Sequence, residues 1–218
     1  MKKRIGGLIF LVLAIFIVNA QPPKGMGKSD PEAKKILDAV SAKFKTFKAI
    51  QSKFTLKAEN GLGKVLTNKT GTVYMKGSKY RINVTGQEIF CDGNTVWTLD
   101  KAAKEVTVSK YEVGSNTITP QKMLTNFYDK DFLYRLVSEA KVLQEIELTP
   151  IDKSKPFHKV VISINKATQT ISSTKVFEKT GNKYTYTVSG MNTNATVTDA
   201  QFVFDAKKYP GFEVVDLR

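Results

Sequence analysis

Apolar positions recur in this chain first at helical spacing and then, over most of its length, at every second residue. Ala33, Ile36, Leu37, Val40, Phe44 and Phe47 stand three or four residues apart, which predicts one apolar helix stripe. Asp30 and Pro31 before it are an N-cap and first-turn pair, and Glu32 suits the positive end of the helix dipole. From Ile50 the period becomes two. Ile50, Ser52, Phe54 and Leu56 take one face of a strand, while Gln51, Lys53, Thr55 and Lys57 take the wet one. Gly61 and Gly63 mark a turn. Short strands follow at Gly71–Lys76, Lys79–Val84, Glu88–Cys91, Thr95–Asp100 and Glu105–Lys110. Asp92-Gly93-Asn94 lies between two of them, and Asp-Gly between apolar runs is a strong hairpin signal.

Thr119-Pro120 opens a short apolar helix that carries Met123 and Leu124. Phe127-Tyr128 and Phe132-Leu133-Tyr134 read as a second, aromatic covering segment. Strands resume at Val142–Leu148, Lys159–Ile164, Thr170–Glu178 and Tyr184–Val188, with turns at Asp152–Pro156, Asn165–Ala167 and Gly181-Asn182. Phe202 and Phe204 are expected to close the sheet. The predicted fold is mostly β, of the α+β kind. It is a curved antiparallel sheet forming an unclosed half-barrel, covered by short lid helices and an N-terminal helix. Such a shape has room for an apolar ligand.

Several of these stretches resemble one family. Cys91-Asp-Gly-Asn-Thr-Val-Trp97 resembles the Ser-Asp-Gly-Lys-Thr-Leu-Trp hairpin of the periplasmic outer-membrane lipoprotein carriers of LolA type. Gly71-Thr-Val-Tyr-Met-Lys76 is similar to their Gly-x-aromatic-x-Lys strand, and Thr119-Pro120 with Met123 and Leu124 to their Thr-Pro-x-x-x-Leu lid helix. Asp199–Phe204 and Tyr209–Arg218 resemble their terminal strand and tail. The resemblance spans residues 30–218, one carrier domain. It implies a protein that takes acylated outer-membrane lipoproteins from an inner-membrane lipoprotein-releasing transporter, shields their acyl chains, and passes them to an outer-membrane acceptor. It also implies an Arg after the Gly-x-aromatic-x-Lys strand that latches the lid. Here that position is Gly77, leaving Lys76 or Arg81 as candidate donors.

The N-terminus and the charge refine this picture. Lys2, Lys3 and Arg4 precede an apolar run from Leu8 to Val18, and Val18-Asn19-Ala20 offers small residues for cleavage. Residues 1–20 are therefore expected to be a signal peptide cleaved after Ala20, residues 21–29 a flexible leader, and the mature protein periplasmic. An uncleaved anchor is the alternative, against which the run falls short of the ~20 residues a span needs. The residue directly after the cleavage point is Gln21 and not a cysteine, so the protein is not expected to be a lipoprotein itself. The net charge is +14. Its lysines are spread along every element, so a solvated sheet face explains most of them, with some share for anionic headgroups. A nucleic-acid partner is not expected for an exported chain. The single Cys91 leaves no disulfide to staple the fold, which is expected to act as a monomer.

Catalytic groups are sparse. His158 is the only histidine and stands at a strand start. No Cys pair, His-x-x-x-His or Gly-rich phosphate loop is present. Asp129/Asp131 and Glu145/Glu147 read as solvated charges. No catalytic residue, metal or cofactor is expected, and the protein is not expected to be an enzyme. The ligand candidates follow from alternation and from the resemblance. Tyr80, Ile82 and Val84 share a strand face opposite Arg81 and Asn83, the face that lines the cavity in the carriers. Ile89 joins them, Met123 and Leu124 correspond to the lid, and Phe54 and Leu56 lie on the apolar face of their own strand. Ordinary core packing is the competing account of all eight. The rival functions are a related carrier or sensor of another hydrophobe, such as a glycolipid or free lipid, and an envelope-sensing domain that binds an anti-sigma-type partner. The sensing reading expects a second domain.

Overall fold

In the computed structural model, residues 29–111 and 128–218 are described. They form one long helix and a few single-turn ones against a single twelve-stranded sheet. Helix α1 (Pro31–Lys45) leads into β1 (Ile50–Glu59), β2 (Val65–Lys76), β3 (Lys79–Val84), β4 (Gln87–Cys91), β5 (Thr95–Asp100) and β6 (Glu105–Lys110). A single-turn helix, α2 (Tyr128–Asp131), runs directly into β7 (Phe132–Glu139). Then come β8 (Leu143–Pro150), β9 (Phe157–Asn165), β10 (Thr170–Glu178), β11 (Lys183–Asn192) and, near the end, β12 (Glu213–Asp216).

The spatial order is β12-β6-β5-β4-β3-β2-β1-β11-β10-β9-β8-β7. Two meanders, β1 to β6 and β7 to β11, are joined by the antiparallel pair β1–β11. Every strand pairing is antiparallel except that of β12, which lies parallel to β6. The end strands β7 and β12 do not pair with each other, so the sheet is a half-barrel and not a closed one. This is the expected fold class.

Helix α1 forms where the stripe predicts it. The Asp30 carboxylate accepts from the Glu32 amide at 2.9 Å, and Pro31 follows in the first turn. Asp30 also ties the helix to the sheet, donating its amide to the Tyr134 carbonyl at 2.9 Å and accepting from the Leu136 amide at 3.2 Å. Ala33, Leu37, Val40 and Phe44 are buried against one face of the sheet, here called the inner face. Beneath them lie Tyr134, Ile146, Leu148, Val160, Ile162, Ile164 and Val176 from β7 to β10.

The outer face has its own core over β4 to β6. Phe90, Leu99, Val106 and Val108 are buried there with Phe202, which has no exposed surface. Two expectations are corrected at this point. Asp199–Phe202 is a 3-10 turn and not a strand, and the terminal strand is β12. Phe202 and Phe204 therefore do not extend the sheet. They cover its outer face, with Phe204 edge-on to Phe90 at 6.2 Å and stacked on Tyr209 at 5.3 Å. Likewise Phe132-Leu133-Tyr134 is the start of β7 and not a covering segment. Phe132 and Tyr134 alternate into the core, and Phe132 stacks on Phe157 at 6.1 Å. The Thr119 helix, with Met123 and Leu124, lies outside the described residues.

Candidate functional site

The inner face of β1 to β5 is built as cross-strand rows. Register places Ile50, Met75, Tyr80, Cys91 and Val96 side by side, one residue per strand. The next row is Ser52, Val73, Ile82, Ile89 and Thr98. A third runs Phe54, Gly71, Val84 and Gln87, and Leu56 continues the face along β1 opposite Tyr186 of β11. The pleat accounts for this, since alternate side chains of each strand point the same way and antiparallel register aligns them.

All six described ligand candidates thus share one face, five of them in these three rows and Leu56 one row beyond. Tyr80 is buried, and Ile82 and Ile89 pack half-buried against the same cluster. Val84, Phe54 and Leu56 are also half-buried, one or two rows further along. Burial differs across this face. Under α1 the apolar residues of β8 and β9 are closed off, whereas Val73, Ile82, Ile89 and Val96 keep part of their surface. The result is an apolar floor that α1 does not roof.

Sequence reasoning missed Val73, Met75 and Val96, and on the far side Tyr184 and Tyr186. Alternation within Gly71–Lys76 and Tyr184–Val188 contained the signal, but only register shows which alternate set meets Tyr80 and Ile82. Gly71 has a role of its own. A Cβ there would lie 2.5 Å from the Phe54 ring and 2.6 Å from the Asn83 carbonyl oxygen, so the ring lies in the gap that the missing side chain leaves.

Polar groups on the floor are few. Tyr80 packs edge-on to Tyr111 at 6.4 Å. Burial and the neighbouring Cys91 push its phenol well up, and burial likewise pushes the Cys91 thiol up. Tyr186 is raised by burial and then by Tyr184. These groups stay neutral at physiological pH, which suits an apolar guest and gives no activated nucleophile. Among the described residues, no cluster of three or more His, Cys, Asp or Glu is placed to hold a metal. His158 is exposed at the start of β9.

Among the described residues, both candidate donors for the lid latch implied by the resemblance have other partners. Gly77 occupies the β2–β3 turn with φ +57°, a conformation that side chains rarely adopt. Lys76 reaches Asp199 at 2.9 Å. Arg81 points to the outer face, where it pairs with Glu88 at 2.9 Å and lies 4.7 Å over the Phe90 ring.

Comparisons with known proteins agree with this architecture. An uncharacterized conserved protein from Thermus thermophilus has the same fold, with a TM-score of 0.56 at 15% identity, covering 85% of this chain and 99% of that one. A LolA superfamily protein from Nitrosomonas europaea gives a TM-score of 0.44 at 15% identity, covering 80% of this chain and 98% of its own. The lipoprotein LppX from Mycobacterium tuberculosis gives 0.48 at 10%, with 78% and 100% covered. No curated protein matches the chain. The outer membrane lipoprotein carrier protein LolA family matches residues 45–205, most of the described sheet, and this chain belongs to that family.

Proposed function

We propose that this protein is a periplasmic, non-catalytic carrier that shields lipoprotein acyl chains on the inner face of β1 to β5. The observation that carries the reading is the floor itself: Phe54, Val73, Ile82, Ile89 and Val96, one from each of β1 to β5, stay half-buried beside a helix that covers the neighbouring strands. Each methylene moved from water into such a surface gains about 0.8 kcal/mol. A floor of partial burial holds an acyl chain while leaving it extractable. In this reading residues 1–20 are removed on export. The cargo comes from an inner-membrane lipoprotein-releasing transporter and goes to an outer-membrane acceptor. Among the described residues no helix is long and apolar enough to cross a membrane.

A second reading, carriage of another hydrophobe such as a glycolipid or free lipid, is favoured by one observation. Arg81 is committed to Glu88 on the outer face and Gly77 stands where the latch residue is expected. Native mass spectrometry of protein purified from the envelope separates the two. Adducts of acylated protein support the first reading and adducts of lipid mass the second. Protein that is always empty, from cells that make both cargoes, would overturn carriage altogether.

A further inference from the structure

The β1–β2 turn is the most exposed apolar feature of the described residues. Leu62 at its tip is 95% exposed, and Val65 and Leu66 behind it are 48% and 56% exposed. The turn is nonetheless well ordered by hydrogen bonds. The Asn60 amide donates to the Lys64 carbonyl at 3.0 Å, and the Asn60 side-chain oxygen accepts from the Leu62 and Lys64 amides at 3.0 and 2.9 Å. Gly63 supplies the positive φ of +79° that closes it. Leu62 is therefore held out into solvent by a preformed scaffold, and burying it elsewhere costs little ordering entropy.

The surroundings are cationic. Lys57 and Lys183 share one carboxylate, Glu59, at 3.2 and 3.1 Å. Lys64 at the tip is exposed and makes no ion pair among the described residues. The β10–β11 turn lies alongside, with Gly181 within van der Waals reach of a Cβ on Gly61, and it adds the charge of Lys179, whose amine donates to the Lys153 carbonyl. The patch is a projecting knob and not a groove. An ordinary protein interface buries about 1,600 Å², far more than a knob of three apolar side chains can contribute. A bilayer asks less: a few apolar side chains between the headgroups, with amines at the phosphates.

We infer that this turn docks the protein on anionic bilayers, Leu62 entering the headgroup layer and the surrounding lysines binding lipid phosphates. The inference stands apart from what the inner face carries, because Leu62 and Lys64 belong to the β1–β2 turn and not to that face.

Flotation of the purified protein tests it, with vesicles of phosphatidylglycerol and phosphatidylethanolamine against vesicles of phosphatidylcholine alone. The protein is expected to float with the anionic vesicles, and less as salt rises, since charges are screened over about 10 Å at 0.1 M. Leu62→Asp is expected to lower the partition coefficient about tenfold or more. Lys64→Glu is expected to weaken binding to anionic vesicles selectively. Both positions are exposed, so an unchanged thermal melt confirms that each variant is folded. Leu62→Trp gives an independent reading, with emission shifting to the blue on anionic vesicles. Equal flotation with both vesicle types, full binding by Leu62→Asp, or an unshifted Leu62→Trp spectrum would each overturn the inference.

Discussion

Glu88 faces the outer core, where its carboxylate meets Lys101 at 2.8 Å, Arg81 at 2.9 Å and the Tyr209 hydroxyl at 3.1 Å. Burial alone would raise its pKa, but hydrogen bonds and charge from Lys101 and Arg81 outweigh it and hold the carboxyl below the usual 4.5. A depressed folded pKa means the ionised form is the stabilising one. Its contribution is complete above the unfolded value near 4.5 and is lost as pH falls through the lower folded value. Glu88→Gln is therefore expected to cost about 1–3 kcal/mol at pH 7. That gap to wild type should close as acid protonates the native residue. Denaturant melts of both proteins at pH 7 and pH 3 measure it, and a gap that stays constant would remove Glu88 from this role. Nothing in the sequence pointed to the cluster. Arg81 and Glu88 are seven residues apart on different strands, and only the β3–β4 register, Arg81 opposite Phe90 and Asn83 opposite Glu88, brings them together.

Elements were legible wherever one local rule governed them. The stripe and cap of α1, the alternation of β3, β5, β6 and β10, and the Asp92 turn all follow from neighbours in sequence. The first part of β2, Val65 to Thr70, was not legible, because Val65-Leu66 breaks alternation and the strand is set there by its pairing with β1. In β7 the alternation of Phe132, Tyr134 and Leu136 was present, but aromatic density beside the Thr119 helix suggested a cover instead. Strand β12 is only four residues long, and its partner β6 lies about a hundred residues earlier, beyond any local signal. The turn at Asp199 did carry one: Gln201 reaches back to accept from the Thr198 amide at 2.8 Å, half of a capping pattern. What this segment does is energetic. Phe202 has no exposed surface, in a turn that packs against β3 and β4, so Phe202→Ala is expected to cost about 3–5 kcal/mol. A melt lowered by only a degree or two would show that β4 to β6 stand without this cover.

At the scale of the whole molecule, a twelve-stranded sheet is wrapped around a single fifteen-residue helix. That helix covers β7 to β10, and the inner face of β1 to β5 keeps exposed apolar surface. A closed core and an open floor thus share one sheet, and identical substitutions in the two places should behave differently. Ile162 is 2% exposed beneath α1, and a carboxylate there loses its water, so Ile162→Glu is expected to collapse the fold. Ile82 is half-buried on the floor. Ile82→Glu can keep its carboxylate hydrated, and its melt is expected to stay within a few degrees of wild type. The floor should also respond to an apolar guest. A ligand that binds only the folded state at a hundred times its Kd adds about 2.7 kcal/mol. For a domain of this size that raises the melting temperature by roughly 5–10 °C. A single-chain palmitoyl lysophospholipid, kept below its micelle concentration, is a suitable probe. Wild type is expected to shift upward with it and Ile82→Glu to stay unmoved. If Ile82→Glu unfolds as Ile162→Glu does, the floor is packed core, and if wild type does not shift, it is no acyl-chain site. The comparison separates the two because both variants introduce the same charge into the same face of the same sheet, and only the cover above them differs.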